Sequence, residues 1–391
     1  MKTGPAFWGL LVLFLSSCKK DVDAPVPVII DFTPEKGAYN IIVTIRGKNF
    51  DSITNNTSVS FNGSNGAVLF VSDTMISARV PDLATTGKIT VTVNNRTGTS
   101  DNDFIILPGK WRLIKSPIAA GYEIRHTQSS FVIGNKAYMG FGFNGGTSVK
   151  DLWEYDPASN NWARKADCGI DFDAGIAMTI GGIAYVGFGL SRNVACCDPH
   201  KQVWAYDPAT NIWTRKSDFP GQGRWGPFGI GLNGKGYTGL GSVDGGTRLH
   251  DWWEYDPVTD TWTQKADMPS TENHYIPAGF AINNKIYAGT TSYSLGIAKD
   301  WFEYDPATNV WSRKADFPGA VSFAASSFVI GNKGYIAGGG WECWEYDPSA
   351  DRWIQVAFFD HRIGGTAFAI NNKGYYIGGS FFNNDQWEFT R

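Results

Sequence analysis

The chain has 391 residues, of which 15% are aromatic and 18% are charged, with 46 glycines and 16 tryptophans. This composition is typical of a well-packed globular protein and excludes a disordered chain, and the length is enough for two domains. The formal net charge of −3 gives no support to nucleic-acid binding, which requires a basic surface.

Residues 1–17 are interpreted as an export signal. Lys2 precedes an apolar run from Ala6 to Leu15, which is too short to span a bilayer because a spanning helix needs about 20 residues. The sequence LSSC that ends at Cys18 resembles a bacterial lipobox. That resemblance implies lipidation of Cys18, a lipidated tether over residues 18–26 and attachment to the outer membrane. The alternative is an ordinary signal peptide in which Cys18 is incidental.

Residues 27–107 are predicted to form a small β-sandwich. Short runs rich in β-branched residues are separated by Gly, Asn and Asp turns, and about seven such runs fit an Ig-like fold. The sequence IDFTPEKG from Ile30 to Gly37 and the sequence VTIRGKNF from Val43 to Phe50 resemble the IPT/TIG domain. The resemblance implies a spacer or interaction module without catalytic residues.

Five similar segments recur after Pro108. They read WEYDPASNNW, WAYDPATNIW, WEYDPVTDTW, FEYDPATNVW and WEYDPSADRW, and they begin at Trp153, Trp204, Trp253, Phe302 and Trp344. Asp-Pro favours a turn after a strand, and the final Trp opens the next strand. Each segment therefore predicts a β-hairpin. The residues expected to take the left-handed conformation that reverses the chain are Asn160, Asn211, Asp260, Asn309 and Asp351.

Each repeated unit also contains an apolar run, a two-residue turn and a Tyr-containing strand that ends in glycines. The turns read Gly-Asn, Gly-Gly, Asn-Gly or Asn-Asn, which tolerate the positive φ of a tight hairpin. The glycine doublet, the Tyr-Asp-Pro and the spaced Trp resemble the kelch repeat over residues 109–391. This resemblance implies one four-stranded propeller blade per repeat, and the period of 42–51 residues is typical of such units.

The number of blades is predicted from an incomplete last copy. First, second and third strands occur six times, and the last copy ends after its third strand. The segment from Trp111 to Pro117 looks like a fourth strand that precedes the first blade. We predict that it pairs with residues Gln386 to Thr390 and closes a six-bladed ring over residues 108–391, because closure removes two exposed sheet edges. The predicted fold class is therefore all-β, a sandwich followed by a propeller.

The functional site is predicted on the face that carries the variable loops. Loops between second and third strands and linkers between blades vary in sequence, and function on a rigid scaffold tends to lie on such loops. Two columns of residues precede the first strands, which enter from this face. The first column is Arg125, Phe172, Arg224, His274, Ser322 and Arg362. The second column is His126, Asp173, Trp225, Tyr275, Phe323 and Ile363.

A ligand-binding site at the channel mouth is predicted from these columns. Arginine forks recognise carboxylates and hydroxyls, and aromatic faces suit sugar rings or apolar side chains. The predicted site comprises Arg125, His126, Asp173, Arg224, Trp225, His274, Tyr275, Phe323, His361 and Arg362. The alternative is a structural role, in which the arginines pair with Asp171, Asp173 and backbone carbonyls.

A column of acidic residues starts the third strands. It repeats from blade to blade and is therefore interpreted as architectural; its members are Asp151, Asp251, Asp300, Glu342 and Asp385.

The cysteines allow several states. Cys168 lies in a linker, and Cys196 and Cys197 lie in the longest loop of the variable face. An exported chain can form disulfides, so a bridge from Cys168 to Cys196 or Cys197, a vicinal pair and free thiols all remain open. Cys343 occupies a position that is apolar in other blades and is predicted to be buried. The spacings do not form a zinc pattern, and no metal or cofactor is expected.

Three classes of function are compatible with these features. The preferred one is a monomeric, membrane-anchored extracytoplasmic protein whose propeller binds a glycan or other external ligand, with a glycan slightly ahead of a protein. The alternative is a protein–protein interaction scaffold of the cell envelope. The third is an enzyme of galactose oxidase type, which would need copper held by two His and two Tyr, or of sialic-acid epimerase type. No motif specific to either enzyme is visible in the sequence.

Overall fold

The computed structural model describes residues 25–115, 119, 121–193, 199–243, 247–272, 274–293, 296–320, 324–338, 342–359, 364–379 and 385–391. The chain forms two compact units, one from Met1–Glu35 with Tyr39–Ile105 and the other from Lys36–Ala38 with Ile106–Arg391. The described part is all-β apart from one 3-10 turn, at Thr54–Asn56. No helix in that part is long and apolar enough to cross a membrane.

The N-terminal unit is the predicted β-sandwich. Its strands are β1 (Val28–Thr33), β3 (Ile42–Lys48), β4 (Thr57–Phe61), β5 (Ser64–Ser72), β6 (Met75–Arg79), β7 (Gly87–Val93) and β8 (Arg96–Ile106), in the sheet order β1-β3-β6-β5-β4-β7-β8. The two-residue strand β2 (Lys36–Gly37) belongs to the second unit. Strand β5 pairs with both β4 and β6, and a register shift lies between Val68 and Phe70. The inward side chains alternate along the strands, as Val43 and Ile45 do in β3, and both are fully buried.

The second unit contains six four-stranded antiparallel sheets. The first blade consists of β10 (Ser129–Ile133), β11 (Lys136–Gly140), β12 (Leu152–Asp156) and β13 (Asn161–Arg164). The second consists of β14 (Ile176–Ile180), β15 (Ile183–Gly187), β16 (Val203–Asp207) and β17 (Ile212–Lys216). The third consists of β18 (Phe228–Leu232), β19 (Lys235–Gly239), β20 (Trp252–Asp256) and β21 (Thr261–Lys265). The fourth consists of β22 (Ala278–Ile282), β23 (Lys285–Tyr293), β24 (Gly296–Asp305) and β25 (Val310–Lys314). The fifth consists of β26 (Ser326–Ile330), β27 (Lys333–Ala337), β28 (Glu342–Asp347) and β29 (Arg352–Phe358). This is the predicted six-bladed propeller.

The sixth blade joins the two ends of the propeller. It consists of β30 (Thr366–Ile370), β31 (Lys373–Ile377), β32 (Gln386–Thr390) and β9 (Lys110–Lys115). The register of β32 and β9 places Phe389 opposite Trp111 and Gln386 opposite Lys115. The predicted closure is confirmed. Strand β32 is paired on both edges, with β31 and with β9, so that β9 and β32 do not face solvent with unpaired backbone where they meet.

The hairpins between first and second strands use the two turn types that the right-handed twist of strands favours. In four blades both central residues have positive φ, as at Asn283 and Asn284, with φ of 52° and 60°. In the two Gly-Asn turns only the glycine does, as at Gly134, with φ of 61°. Asn and Gly accept these angles at low cost, so the predicted hairpins follow from local sequence.

The repeated Tyr-Asp-Pro segments connect neighbouring blades. Asn211 Oδ1 accepts hydrogen bonds from the Tyr206 hydroxyl at 2.9 Å and from the backbone N–H of Ala166 at 3.0 Å. Trp213 Nε1 donates to the Ala166 carbonyl at 2.8 Å. Equivalent contacts occur at Asp260, Asn309 and Asp351. The five predicted left-handed residues have φ between 46° and 57°. The segment recurs because successive blades need the same connection to the blade before.

The core of the propeller lies between blades. Trp252 of the third blade is fully buried, and its ring centroid lies 5.8 Å from that of Tyr304 and 5.2 Å from that of Trp311 in the fourth blade. Burying a large apolar side chain contributes about 1.5–3 kcal/mol, so these interfaces hold the ring together. Cys343 is fully buried in the corresponding cluster of the fifth and sixth blades, as predicted.

Small side chains line the axis. The first strands surround a channel that holds a cavity of about 410 Å³. Its wall includes Ser130, Ala177, Gly229, Gly279, Ser327 and Thr366. The glycines in β18 are required by close packing: a Cβ on Gly231 would lie 1.9 Å from the carbonyl oxygen of Thr179 in the preceding blade.

Candidate functional site

The described residues of the first column are structural. Arg224 is fully buried, and its two terminal nitrogens donate to Asp251 Oδ1 and Oδ2 at 2.6 and 2.8 Å. Its Nε donates to the carbonyl of Gln222 at 3.1 Å. Arg125 makes the same two-pronged contact with Asp151, with Nη2 at 2.9 Å from Oδ2.

These contacts correct the prediction for Arg125 and Arg224. Their guanidinium groups face the third strand of their own blade, not the channel, and their partners are Asp151 and Asp251 rather than Asp171 and Asp173. Burial acts to raise the pKa of Asp151, but the hydrogen bonds and charge of Arg125 outweigh it and hold the pKa below its usual value. The acidic column is therefore architectural in these blades, as its repetition indicates.

His274 occupies the arginine position in the fourth blade. Its Nε2 lies 3.2 Å from Asp300 Oδ1 and 3.0 Å from Ser270 Oγ, and Ser270 also donates to Asp300. A hydrolytic triad needs the carboxylate and the hydroxyl on opposite nitrogens of the ring. Here both touch Nε2, and His274 is fully buried, so the group is a third structural pairing of this column.

A ring of left-handed residues follows the two columns, with one residue in each blade. Its members are Thr127, Ala174, Gly226, Ile276, Ala324 and Gly364, with φ between 48° and 72°. Backbone hydrogen bonds of 2.8–3.0 Å join successive members, from Thr127 N–H to the Gly364 carbonyl and onward through Ala174 and Gly226 to Ile276. A left-handed conformation costs a non-glycine residue roughly 1–2 kcal/mol. The mouth of the channel is therefore a rigid, strained collar.

The second column lies on this collar and pairs with the variable loops. His126 forms two backbone hydrogen bonds with Phe143, and Trp225 forms two with Ser242, all between 2.8 and 3.1 Å. Asp173 is bonded to Leu190 in the same way. The backbone arrangement is thus repeated in three blades, whereas the side chains it presents differ at every position.

Those side chains form what we call the mouth cluster: His126, Phe143, Asp173, Arg192, Trp225 and Tyr275. Arg192 is its centre. Its Nε donates to Asp173 Oδ2 at 2.7 Å, and its guanidinium carbon lies 4.8 Å from the Phe143 ring centroid and 5.4 Å from that of Trp225. The Trp225 ring packs edge-to-face on Tyr275, with centroids 4.9 Å apart. The Phe143 ring packs on His126 in the same manner, at 5.4 Å.

Burial shifts the pKa of two residues of the mouth cluster. Asp173 is fully buried, and burial raises the pKa of its carboxyl against the opposing effect of Arg192. Burial, with a smaller contribution from the charge of Arg192, lowers the pKa of His126, which favours a neutral ring at pH 7. Asp173 Oδ1 and Trp225 Nε1 are buried atoms without a hydrogen-bond partner among the described residues.

Four predicted site residues therefore come together at the mouth: His126, Asp173, Trp225 and Tyr275. Sequence reasoning missed Phe143 and Arg192, because both lie in loops between second and third strands whose sequences differ from blade to blade. The signal that could have found them is the departure from the repeat itself, since a rigid scaffold concentrates function where the repeat is broken. Cys168 is buried and has no disulfide partner among the described residues. Phe323, His361, Arg362, Cys18, Cys196 and Cys197 lie outside the described residues.

Within the part of the chain that the structure describes, no group of three or more His, Cys, Asp or Glu side chains is arranged to hold a metal ion.

Comparison with known families agrees with this architecture. Residues 27–106 match the IPT/TIG domain, and residues 236–269 match the Kelch motif. The chain is an all-β protein with an IPT/TIG domain followed by a six-bladed kelch propeller, and such a propeller indicates a protein-binding or ligand-binding role. Comparison with curated proteins found no match.

Two solved structures are similar in fold. One is that of a protein named YjhT, at 16% identity and a TM-score of 0.58, covering 68% of this chain and 93% of that one. The other is a structural-genomics protein of unknown function from Bacteroides thetaiotaomicron VPI-5482, at 12% identity and a TM-score of 0.51, covering 94% of this chain and 98% of that one. At these identities the likeness shows the fold alone.

Proposed function

We propose that this chain is a lipid-anchored extracytoplasmic binding protein whose propeller binds a glycan at the mouth cluster. The observation that carries the proposal is the position of Trp225. This half-buried ring is fixed between Arg192 and Tyr275, on the collar where a repeated backbone presents side chains that do not repeat.

The chemistry of the mouth cluster favours a sugar ring. A sugar has an apolar face and a polar edge, and binding sites combine aromatic surface with a few fixed polar groups. Trp225 and Phe143 supply rings held in place by their neighbours, and Arg192 lies between them with its side chain 32% exposed. Rings that are already immobilised lose little conformational entropy when a ligand binds.

The anchor is proposed from the N-terminal sequence. An export signal ends at the sequence LSSC, and acylation of Cys18 by several chains would hold the protein durably on a membrane. The IPT/TIG domain would then separate the propeller from that membrane. Mass spectrometry of the N-terminal peptide tests this step: we expect a triacylated Cys18 in the wild type and an unmodified, water-soluble product from Cys18→Ser. An unacylated Cys18 in membrane fractions would contradict it.

A glycan array tests the binding function. We expect the wild type to retain a defined set of glycans, and Trp225→Ala to lose at least tenfold in affinity for them. Trp225→Phe keeps a ring and should retain part of the affinity. Val258→Ala changes an exposed residue in a third-to-fourth-strand turn of the other face and serves as the control. If no glycan is retained, or if Trp225→Ala binds like the wild type, the proposal is wrong and a protein partner at this face becomes the better explanation.

A further inference from the structure

We infer that Arg192 reads a carboxylate on the bound sugar, so that the ligand is an acidic glycan of the uronic-acid type. This inference rests on the proposed function and specifies its ligand class. It starts from a comparison of arginines within the same propeller.

Arg125 and Arg224 show what a satisfied arginine looks like in this protein. Both terminal nitrogens of each are bonded to a carboxylate, and the exposed fractions of the side chains are 1% and 0%. Arg192 differs in both respects. Its side chain hydrogen-bonds through Nε, to Asp173, and its terminal nitrogens have no hydrogen-bond partner among the described residues.

The orientation of Arg192 is fixed, although its terminal nitrogens have no partner among the residues that the structure describes. Asp173 holds Nε at 2.7 Å, and the rings of Phe143 and Trp225 lie beside the guanidinium carbon. Its backbone N–H donates to Ser148 Oγ at 3.0 Å, which anchors the start of the loop. A guanidinium fork that is immobilised before binding matches a carboxylate with two parallel, charge-assisted hydrogen bonds. The group that fills the equivalent place at Arg224 is the carboxylate of Asp251.

The positive charge of the mouth region is carried by arginine. Asp173 is the acidic member of the mouth cluster, and it is fully buried beneath the arginine. The guanidinium carbon of Arg248 lies 5.2 Å from the centroid of the Tyr275 ring, so a second arginine borders the mouth cluster. Burial raises the pKa of the Asp173 carboxyl, and it lowers the pKa of His126, which favours a neutral ring at pH 7, so His126 supplies no positive charge beside Arg192. The Arg192 guanidinium lies over the rings of Phe143 and Trp225, so a sugar whose carboxylate reaches the fork would pack on the ring surface that Arg192 leaves uncovered.

The test is a binding assay on the full chain with paired glycans. Each uronate-containing oligosaccharide in a panel is measured beside its carboxyl-reduced, neutral form by isothermal titration calorimetry. We expect the wild type to prefer at least one acidic form by tenfold or more, and this preference should shrink as salt rises. Arg192→Gln should lose the preference while keeping the weak binding of the neutral form that depends on Trp225. Arg192→Lys keeps the charge without the fork and should be intermediate.

The control variant is Arg215→Gln. Arg215 lies in the fourth strand of the second blade and pairs with Asp218 on the surface, so its loss should leave both affinities unchanged. Thermal melting of each variant checks that the propeller is folded. Trp225-dependent binding of acidic and neutral forms with equal affinity would overturn this inference and leave the proposed function standing. So would an Arg192→Gln variant that keeps the full preference. Absence of binding to every member of the panel would overturn this inference, and it would overturn the proposed function as well if the glycan array also retained nothing. An acidic peptide that binds through Arg192 would replace the glycan as the ligand.

Discussion

Arg224 and Asp251 form a two-pronged ion pair inside the third blade, with distances of 2.6 and 2.8 Å between guanidinium nitrogens and carboxylate oxygens. The pair spans the blade from the collar to the start of β20. It explains why an arginine at the innermost position is not available to a ligand: the third strand of the same blade already provides its anion.

Removing Arg224 is expected to destabilise the propeller strongly. Arg224→Gln leaves Asp251 partly buried without its cation, and breaking such a pair costs about 3–5 kcal/mol. Urea denaturation followed by tryptophan fluorescence measures the loss. The double variant Arg224→Leu with Asp251→Leu removes both charges and should recover part of the stability. Arg215→Gln, which breaks an exposed pair with Asp218, should change stability by about 1 kcal/mol or less. Equal losses for Arg224→Gln and Arg215→Gln would contradict this account.

The same pair predicts a pH dependence. Burial acts to raise the pKa of Asp251, but Arg224 and Trp253 outweigh it, so the pKa in the folded protein lies below the usual 3.8. A carboxyl whose pKa is depressed by folding contributes stability above its unfolded pKa, and this contribution is lost as the pH falls through the folded pKa. The difference in stability between wild type and Asp251→Asn should therefore be largest at pH 6–7 and shrink below about pH 4. A difference that stays constant from pH 7 to pH 3 would rule out this coupling.

Deleting residues Gln386–Arg391 should open the ring. The deletion removes β32, which pairs with β31 on one side and β9 on the other, and it removes the fully buried Phe389. We expect a larger radius of gyration in small-angle X-ray scattering and rapid proteolysis of the sixth blade. Arg391→Ala is the control, since it keeps the strand and removes an ion pair with Glu345. Proteolysis confined to the last few residues would show that the closure does not hold the ring.

Asn211 is expected to contribute through its side chain as well as through its φ of 57°. Asn211→Gly keeps the left-handed conformation but leaves the buried Tyr206 hydroxyl and the Ala166 N–H without their acceptor, at a cost of about 1–3 kcal/mol. Asn211→Ala should cost roughly 1–2 kcal/mol more, because alanine also strains the backbone. Asn283→Gly, in an exposed two-residue turn with φ of 52°, is the matched control and should change stability little. If thermal melting shows that Asn283→Gly lowers the melting temperature as much as Asn211→Gly does, the role of these hydrogen bonds is contradicted.

The collar should tolerate exchange of glycine and alanine at one position and reject it at another. A Cβ on Gly226 would lie 2.7 Å from the Tyr275 ring, and the residue has a φ of 64°. Gly226→Ala should therefore destabilise the protein by more than about 1 kcal/mol and displace Tyr275 from the mouth cluster. Ala174, in the same ring, has a φ of 48°. Ala174→Gly relieves backbone strain in the folded protein but raises the conformational entropy of the unfolded chain, so the free energy of unfolding should change by no more than about 0.5 kcal/mol. Chemical denaturation of both variants measures the contrast, and equal tolerance at both positions would contradict the packing around Gly226.

Local patterns determined most of the architecture. The two-residue turns, the left-handed Asn160 and the strand that starts near Trp111 are readable from the sequence, because turn chemistry and strand alternation depend on neighbouring residues. The six repeats and the incomplete last copy then implied the closure, since a sheet edge without a partner is unfavourable. The buried position of Cys343 followed from its register with apolar residues in other blades.

The tertiary structure alone decided which side chains reach the mouth. Adjacent residues of an extended segment point in opposite directions, so Arg224 turns into its blade while Trp225 stays at the channel. The partner of Arg224 is Asp251, which lies 27 residues further along the chain. The sequence pattern alone did not distinguish it from Asp171 and Asp173 as a partner for the arginines. Arg192 lies in a loop without a repeat, and its place between Phe143 and Trp225 depends on three blades packing around one axis. Contacts between distant segments follow from packing of the whole ring, whereas turns and strands follow from the residues beside them.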